Sequence, residues 1–279
     1  MKPTEHRKEH DRISPLLRGL TALAAVIVFG IFLFVFGYIL WNGIPELAEI
    51  IGRGERSAIF GALATTVYLL AGVLLLAVPV GVGTAVWLTE VSGHTERSRV
   101  YQGVNLLFDT MNGMPSILYG LFGFVVFVGF FRFGYSLLSG IAIMTVLVLP
   151  VIVRTSEEAI RSVPKSLREG AAALGIGRFD TLRHLILPQA APGIVGGIIL
   201  IMGQAAGSAA ALLYTAGSAA RVPENIMDSG RTLAVHMYSL CAEDVQPGQM
   251  YAAAVLLMAV TCIMNELASH ITRRWRRGR

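Results

Sequence analysis

Apolar residues in this chain come in long unbroken runs instead of alternating with polar ones. Six stretches, 20–41, 59–89, 110–131, 133–153, 185–220 and 246–265, carry no charged side chain over about twenty residues or more. A helix rises about 1.5 Å per residue, so about 20 residues cross the roughly 30 Å hydrocarbon layer of a bilayer while every backbone polar group stays paired inside the helix. The runs therefore predict an all-α membrane protein with six transmembrane helices. The second and fifth runs are longer than one crossing needs. Pro79 is expected to mark the far portion of the second run, and Pro188 and Pro192 to start the fifth crossing near Ala190.

Composition sharpens this picture. Of 279 residues, 54% are hydrophobic and 15% charged, against about 25% charged in an average soluble domain, which excludes an ordinary cytosolic enzyme. Cys241 and Cys262 form neither a CxxC pair nor a metal-ligand spacing. The net charge is +5, and its placement says more than its sign: 18 of the 23 Lys and Arg precede the first run, follow residue 270, or lie in 90–102 and 154–183. The alternate loops hold Arg53, Arg56, Arg132, Arg221 and Arg231. Cytoplasmic loops carry the excess of basic residues, so both termini are expected to be cytoplasmic. The first run is too long for a signal-peptide core and offers no obvious A-x-A cleavage site, so it is expected to stay as an anchor.

The predicted organisation is a cytoplasmic tail 1–19, an anchor helix 20–41, a core domain 59–270 with a structured loop at 154–188, and a basic tail 271–279. That tail reads RRWRRGR; directly after a membrane span it is expected to meet anionic lipid, not nucleic acid. No G-x-x-x-x-G-K-[ST] string occurs, so ATP is not expected to bind this chain in a P-loop.

The loop 154–188 is richer than a connector requires. Pro164 halts one helix, Ser166 and Glu169 form an S-x-x-E capping box for the next, and Gly175 offers a left-handed stop. A second short helix is expected from Arg178 to Leu187, after which Pro188 restarts the chain toward the membrane. Leu167, Ala171 and Leu174 form an apolar row beside Lys165 and Arg168. Such a knob fits a partner's groove, and it equally fits an anionic headgroup layer.

Glu169, Gly170, Ala171, Gly175, Leu185, Leu187 and Pro188 match the spacing E-A-A-x3-G-x9-I-x-L-P, with Gly for the first Ala and Leu for the Ile. That is the EAA motif of ABC importer permeases. FDTMNGMPSILYGLFGF at 108–124, LPVIVRTSEEAIRSVPKSLREGAAALG at 149–175, LLYTAG at 212–217 and SGRTLAVHMYSL at 229–240 resemble the phosphate-specific ABC permease of the second subunit type. The resemblance implies a six-span type I importer fold in the cytoplasmic membrane of a prokaryote. It also implies a sister permease, two ATPase subunits that bind ATP and Mg, and an extracytoplasmic phosphate-binding protein. Ser166, Leu167, Arg168, Glu169, Ala171, Leu174, Gly175 and Arg178 would then dock on the ATPase.

One departure stands out. The family reads approximately R-A-x-G-E-T-A before the LLYTAG-like stretch, whereas this chain has Gln204, Ala205, Ala206, Gly207, Ser208, Ala209 and Ala210. Arg and Glu four apart would face each other on a helix, and charge in a bilayer interior usually marks a pathway. With both gone, Gln204 and Ser208 are read as neutral pathway-lining residues. Three readings stay open: an altered substrate, a transport-impaired phosphate subunit, or charge supplied by the sister subunit. Gly203, Gly207 and Ala211 alternatively form a small-xxx-small packing face.

Asn112 and Ser116 flank Gly113 and Pro115, where an interrupted helix can line a path. Asp109 reads as a carboxylate at the N-terminal end of the third span, favoured by the helix dipole. Glu266 and His270 read as an interfacial cluster, His236 as a packed loop histidine, and the string His6 to His10, H-x-x-E-H, as accidental because it precedes any helix. A stand-alone channel or carrier is the rival class, since it needs no structured cytoplasmic knob.

Overall fold

The structure, a computed structural model, describes residues 6–53, 57–91, 99–242 and 247–277. Helix α1 (His6–Arg53) is one continuous rod of 48 residues, about 72 Å long at 1.5 Å per residue. The H-x-x-E-H string is therefore helical instead of preceding any helix; its side chains, like those of 271–279, lie outside the described residues. Helix α1 packs along the last helix and little else. Gly43 permits the closest approach, since a Cβ there would lie 2.5 Å from the Tyr251 carbonyl oxygen, and Tyr38 meets Tyr251 edge to face with ring centroids 5.7 Å apart.

Helix α2 (Ser57–Val86) runs straight through Pro79 and widens into a π turn, Trp87–Val91. The expected third span is not one rod. Helix α3 (Arg99–Asn112) ends, and α4 (Ser116–Gly123) leaves at a bend of 102° before widening into the π turn Phe124–Phe130. Pro115 causes the break, because it has no N–H to give the Met111 carbonyl four residues back. That carbonyl accepts the Met114 N–H at 3.1 Å and the Tyr119 hydroxyl at 2.7 Å.

Helix α5 (Leu137–Arg161) starts four residues later than the run at 133 suggests. Gly134, at φ +64°, and Ser136, whose Oγ accepts the Ser139 N–H at 3.2 Å, set its start. It forms the spine of the core and packs on α2, with Gly72 against Ile141 and Gly81 against Ile152. Helix α6 (Lys165–Ala173) carries the loop motif, and α7 (Arg178–Thr181) passes through a π turn, Leu182–Ile186, into α8 (Leu187–Ala206). The expected separate helix 178–187 is thus the entry of a span. Pro188 does not restart the chain, because the widened turn precedes the proline that would clash with the carbonyl of His184 in a regular helix.

Helix α8 ends at Ala206, well short of 220, and the short α9 (Ala210–Leu213) follows. A non-helical excursion then leads to α10 (Leu233–Ala242), and α11 (Pro247–Arg277) closes the bundle. Among the described residues, five helices are long and apolar enough to cross a membrane, and the bent α3/α4 pair makes a sixth if counted as one span.

His236 lies in α10, not in a loop, and is 2% exposed. The Leu233 N–H donates to Thr66 Oγ1 at 2.9 Å, which ties the start of that helix to α2. Burial, and secondly the Arg231 charge, pull the His236 pKa from 6.5 down to about 4. The folded imidazole stays neutral where the unfolded one takes a proton, so this contribution is complete above pH 6.5 and lost as pH falls toward 4. The His236→Gln variant in detergent is expected to show a flatter fall of Tm between pH 6.5 and 4 than the unsubstituted chain. Parallel curves would refute this.

Candidate functional site

The two helix breaks converge. Asn112 and Ser116 bracket the α3/α4 break, and Gln204, Gly207 and Ser208 bracket the end of α8. With Met111, Met114, Tyr119 and Ile201, and with Leu147, Val148 and Val151 of α5 as the back wall, they line one cavity of about 370 Å³. All four residues read from the sequence as pathway-lining share this space. Among the described residues, no charged side chain lines it. The Ser208 Oγ is buried and has no hydrogen-bond partner among the described residues, so its hydroxyl is free to meet a solute or water. Tyr119 is the residue the sequence did not point to: its hydroxyl bridges the break and its ring forms part of the wall.

The proposed packing face at Gly203, Gly207 and Ala211 does not form as expected. A Cβ at Gly203 would meet nothing within 4 Å, whereas at Gly193 it would lie 2.8 Å from Ala159 Cβ and at Gly197 2.5 Å from Thr155 Oγ1. Close approach of α8 to α5 therefore uses Gly193 and Gly197, one turn apart on the face toward α5. Asp109 also differs from expectation. It sits in the last turn of α3, not at a helix start, and pairs with Arg154 of α5 at 3.4 Å.

At the far end of the bundle, α6 forms a knob. Its N-cap is Pro164, so Ser166 lies inside the first turn and the expected capping box with Glu169 does not form. Gly175 does stop the helix in the left-handed region at φ +72°, with its N–H donating to Ala172 O and the Ile176 N–H to Ala171 O, both at 3.0 Å. Ala171 is buried and Leu167 packs on the bundle core. Arg168 also turns inward: its guanidinium lies 2.7 Å from Glu90 in the π turn that follows α2 and donates to the Ile160 carbonyl at 3.1 Å. These three residues hold the knob to the bundle instead of forming its outer surface. Beside them, buried Glu157 accepts the Tyr101 hydroxyl at 2.8 Å and Arg161 Nε at 2.9 Å, which joins α3 to α5. The outer face carries Ser166, Glu169, Leu174, Gly175 and Arg178, all exposed. It also carries two apolar side chains the sequence reading passed over, Phe179 at 69% and Ile176 at 40% exposure.

Residues 77–277 match the model of the binding-protein-dependent transport system inner membrane component family. The chain belongs to that family. It is an ABC importer permease subunit with the type I permease fold. Over 297 aligned residues this permease is 33% identical to the probable ABC transporter permease protein YqgI of Bacillus subtilis, covering 97% of this chain and 96% of that one. It is 36% identical over 177 residues to the phosphate transport system permease protein PstA 2 of Mycobacterium bovis, covering 63% of this chain and 56% of that one. Among solved structures, a bacterial alginate ABC transporter in complex with an alginate pentasaccharide-bound periplasmic protein superposes with a TM-score of 0.70 at 16% identity, over 95% and 96% of the two chains. The inward-facing MetNI methionine ABC transporter superposes with a TM-score of 0.61 at 20% identity, over 81% of this permease and 98% of that chain. At these identities the structural likeness concerns the fold.

Proposed function

We propose that this chain is one of the two permease subunits of an ATP-driven importer of inorganic phosphate. Two ATPase subunits holding ATP and Mg would grip the α6 knob, an extracytoplasmic phosphate-binding protein would deliver the substrate, and both termini would lie in the cytoplasm. The observation that carries the reading is the convergence of two helix breaks on one polar cavity, with a structured knob tied to the helices that form its wall. The resemblance to phosphate permeases and the PstA 2 match support the substrate. Because this chain's share of the wall is neutral, the sister permease is expected to supply charge there.

Gly175 tests the coupling. A Cβ added at Gly175 meets nothing within 4 Å, so Gly175→Leu creates strain only through the left-handed backbone, about 1–2 kcal/mol. In the purified complex the variant should insert normally and hydrolyse ATP while moving about fivefold less phosphate per ATP. Unchanged coupling would defeat the knob's role. The neutral cavity favours a second reading, a permease for another small solute. Transport of an uncharged or zwitterionic solute that phosphate does not compete with would establish it, and transport by the chain alone in vesicles would establish a channel or carrier.

A further inference from the structure

Two charged residues stand next to the neutral cavity without lining it. Arg154 follows Val151 of the cavity wall by three positions on α5, and Asp109 precedes Asn112 of the wall by three positions on α3. Residues three apart share a helix face. Both displacements run toward the knob, so the pair lies on the side of the cavity that leads to α6. The contact is loose: Arg154 Nη1 lies 3.4 Å from Asp109 Oδ1, and the side chains are 48% and 60% exposed. The inward Arg168–Glu90 pair, by comparison, closes to 2.7 Å with both side chains at a quarter exposure or less.

An exposed ion pair contributes little to stability, so exchanging one partner costs little. A guanidinium fork is built to take two oxygens of a tetrahedral oxyanion, a better match than one carboxylate oxygen at 3.4 Å.

We infer that Arg154 forms an oxyanion-receiving site at the inner mouth of the cavity, with the Asp109 carboxylate as the internal anion that the substrate displaces. This rests on the phosphate reading and adds to it a residue of this chain that meets the substrate's charge. Phosphate leaving the neutral cavity takes the guanidinium from Asp109; the carboxylate then reclaims it and releases the anion toward the cytoplasm. No covalent bond changes.

The test is equilibrium binding of radiolabelled inorganic phosphate to the complex purified through a tag on this chain, without the external binding protein. Arg154→Gln should weaken binding at least tenfold, and Asp109→Asn should tighten it by about tenfold while slowing release. A purely structural ion pair predicts that the two variants change together, because each removes the same contact. Like-signed or absent effects in a complex that binds phosphate would overturn the site and leave the phosphate reading standing. A complex that binds no phosphate at all would overturn both. Normal far-UV circular dichroism and co-purification of the partners confirm that each variant is folded.

Discussion

Replacing Arg168 with Gln is expected to lower substrate moved per ATP hydrolysed by about tenfold, with the ATPase subunits still bound. Arg168 belongs to the docking motif in sequence, yet its guanidinium points away from the docking face to Glu90 and the Ile160 carbonyl. It thus joins the knob to the π turn that follows α2 and to the end of α5 at one point. Removing it leaves a carboxylate that is only 19% exposed without its cation, a cost of about 1–3 kcal/mol. The knob loses its strut while Ala171 and Leu167 still seat it. Glu90→Gln should reproduce the defect, because it removes the same strut from the other end. Co-purification of the ATPase separates the alternatives: if Arg168 were a docking contact, Arg168→Gln would lose the ATPase and Glu90→Gln would keep both ATPase and coupling. The tightness of the link follows from its placement, as both side chains are largely shielded from solvent and screening there is weak.

Restoring the family's charges is the second large effect. Gln204→Arg alone places a guanidinium in a cavity with no charged lining residue, against an insertion cost of about 2.5–3.5 kcal/mol for a charge at bilayer depth. That variant should lower the yield of folded protein severalfold. Adding Ser208→Glu supplies a partner across the α8 end, so the double variant should recover folding and raise phosphate uptake above that of the native chain by several-fold. Size-exclusion yield and uptake in proteoliposomes read the two effects separately. Equal uptake with and without the charges would show that the neutral wall is no handicap, with the pathway's charge lying elsewhere. Severe misfolding of the double variant would show that the cavity is too dry to hold an ion pair.

Much of the fold was legible because membrane helices need only local information. The uncharged runs predict six crossings, and among the described residues five continuous helices answer them, with the bent pair as the sixth when it is counted as one span. The proline and glycine of 112–116 signalled an interrupted helix, and the structure breaks there, since a proline's missing N–H acts on its own turn. The left-handed stop at Gly175 was legible for the same reason. Run ends were less legible: the chain is equally apolar on both sides of Ala206, so nothing in hydropathy says that α8 ends there.

The site divides the same way. Asn112, Ser116, Gln204 and Ser208 could be chosen from the sequence as polar residues in apolar runs, because each is costly in lipid and so needs a reason. Their meeting in one cavity depends on how α3, α4, α5 and α8 cross, which no local pattern encodes. The capping box failed because Pro164, one position before the helix, holds the N-cap itself. The packing face failed because Gly193 and Gly197, not Gly203 and Gly207, happen to face α5.

By itself, then, the sequence determined a membrane protein of six apolar crossings with a folded loop carrying the EAA spacing, since charge, hydropathy and turn chemistry act within one helix length. Only the tertiary structure decided which side of that loop faces outward, that Arg168 reaches Glu90 and Arg154 reaches Asp109, and that two helix breaks enclose one cavity. These are meetings of residues tens of positions apart, set by the angles at which helices pack and not by any property of the residues alone.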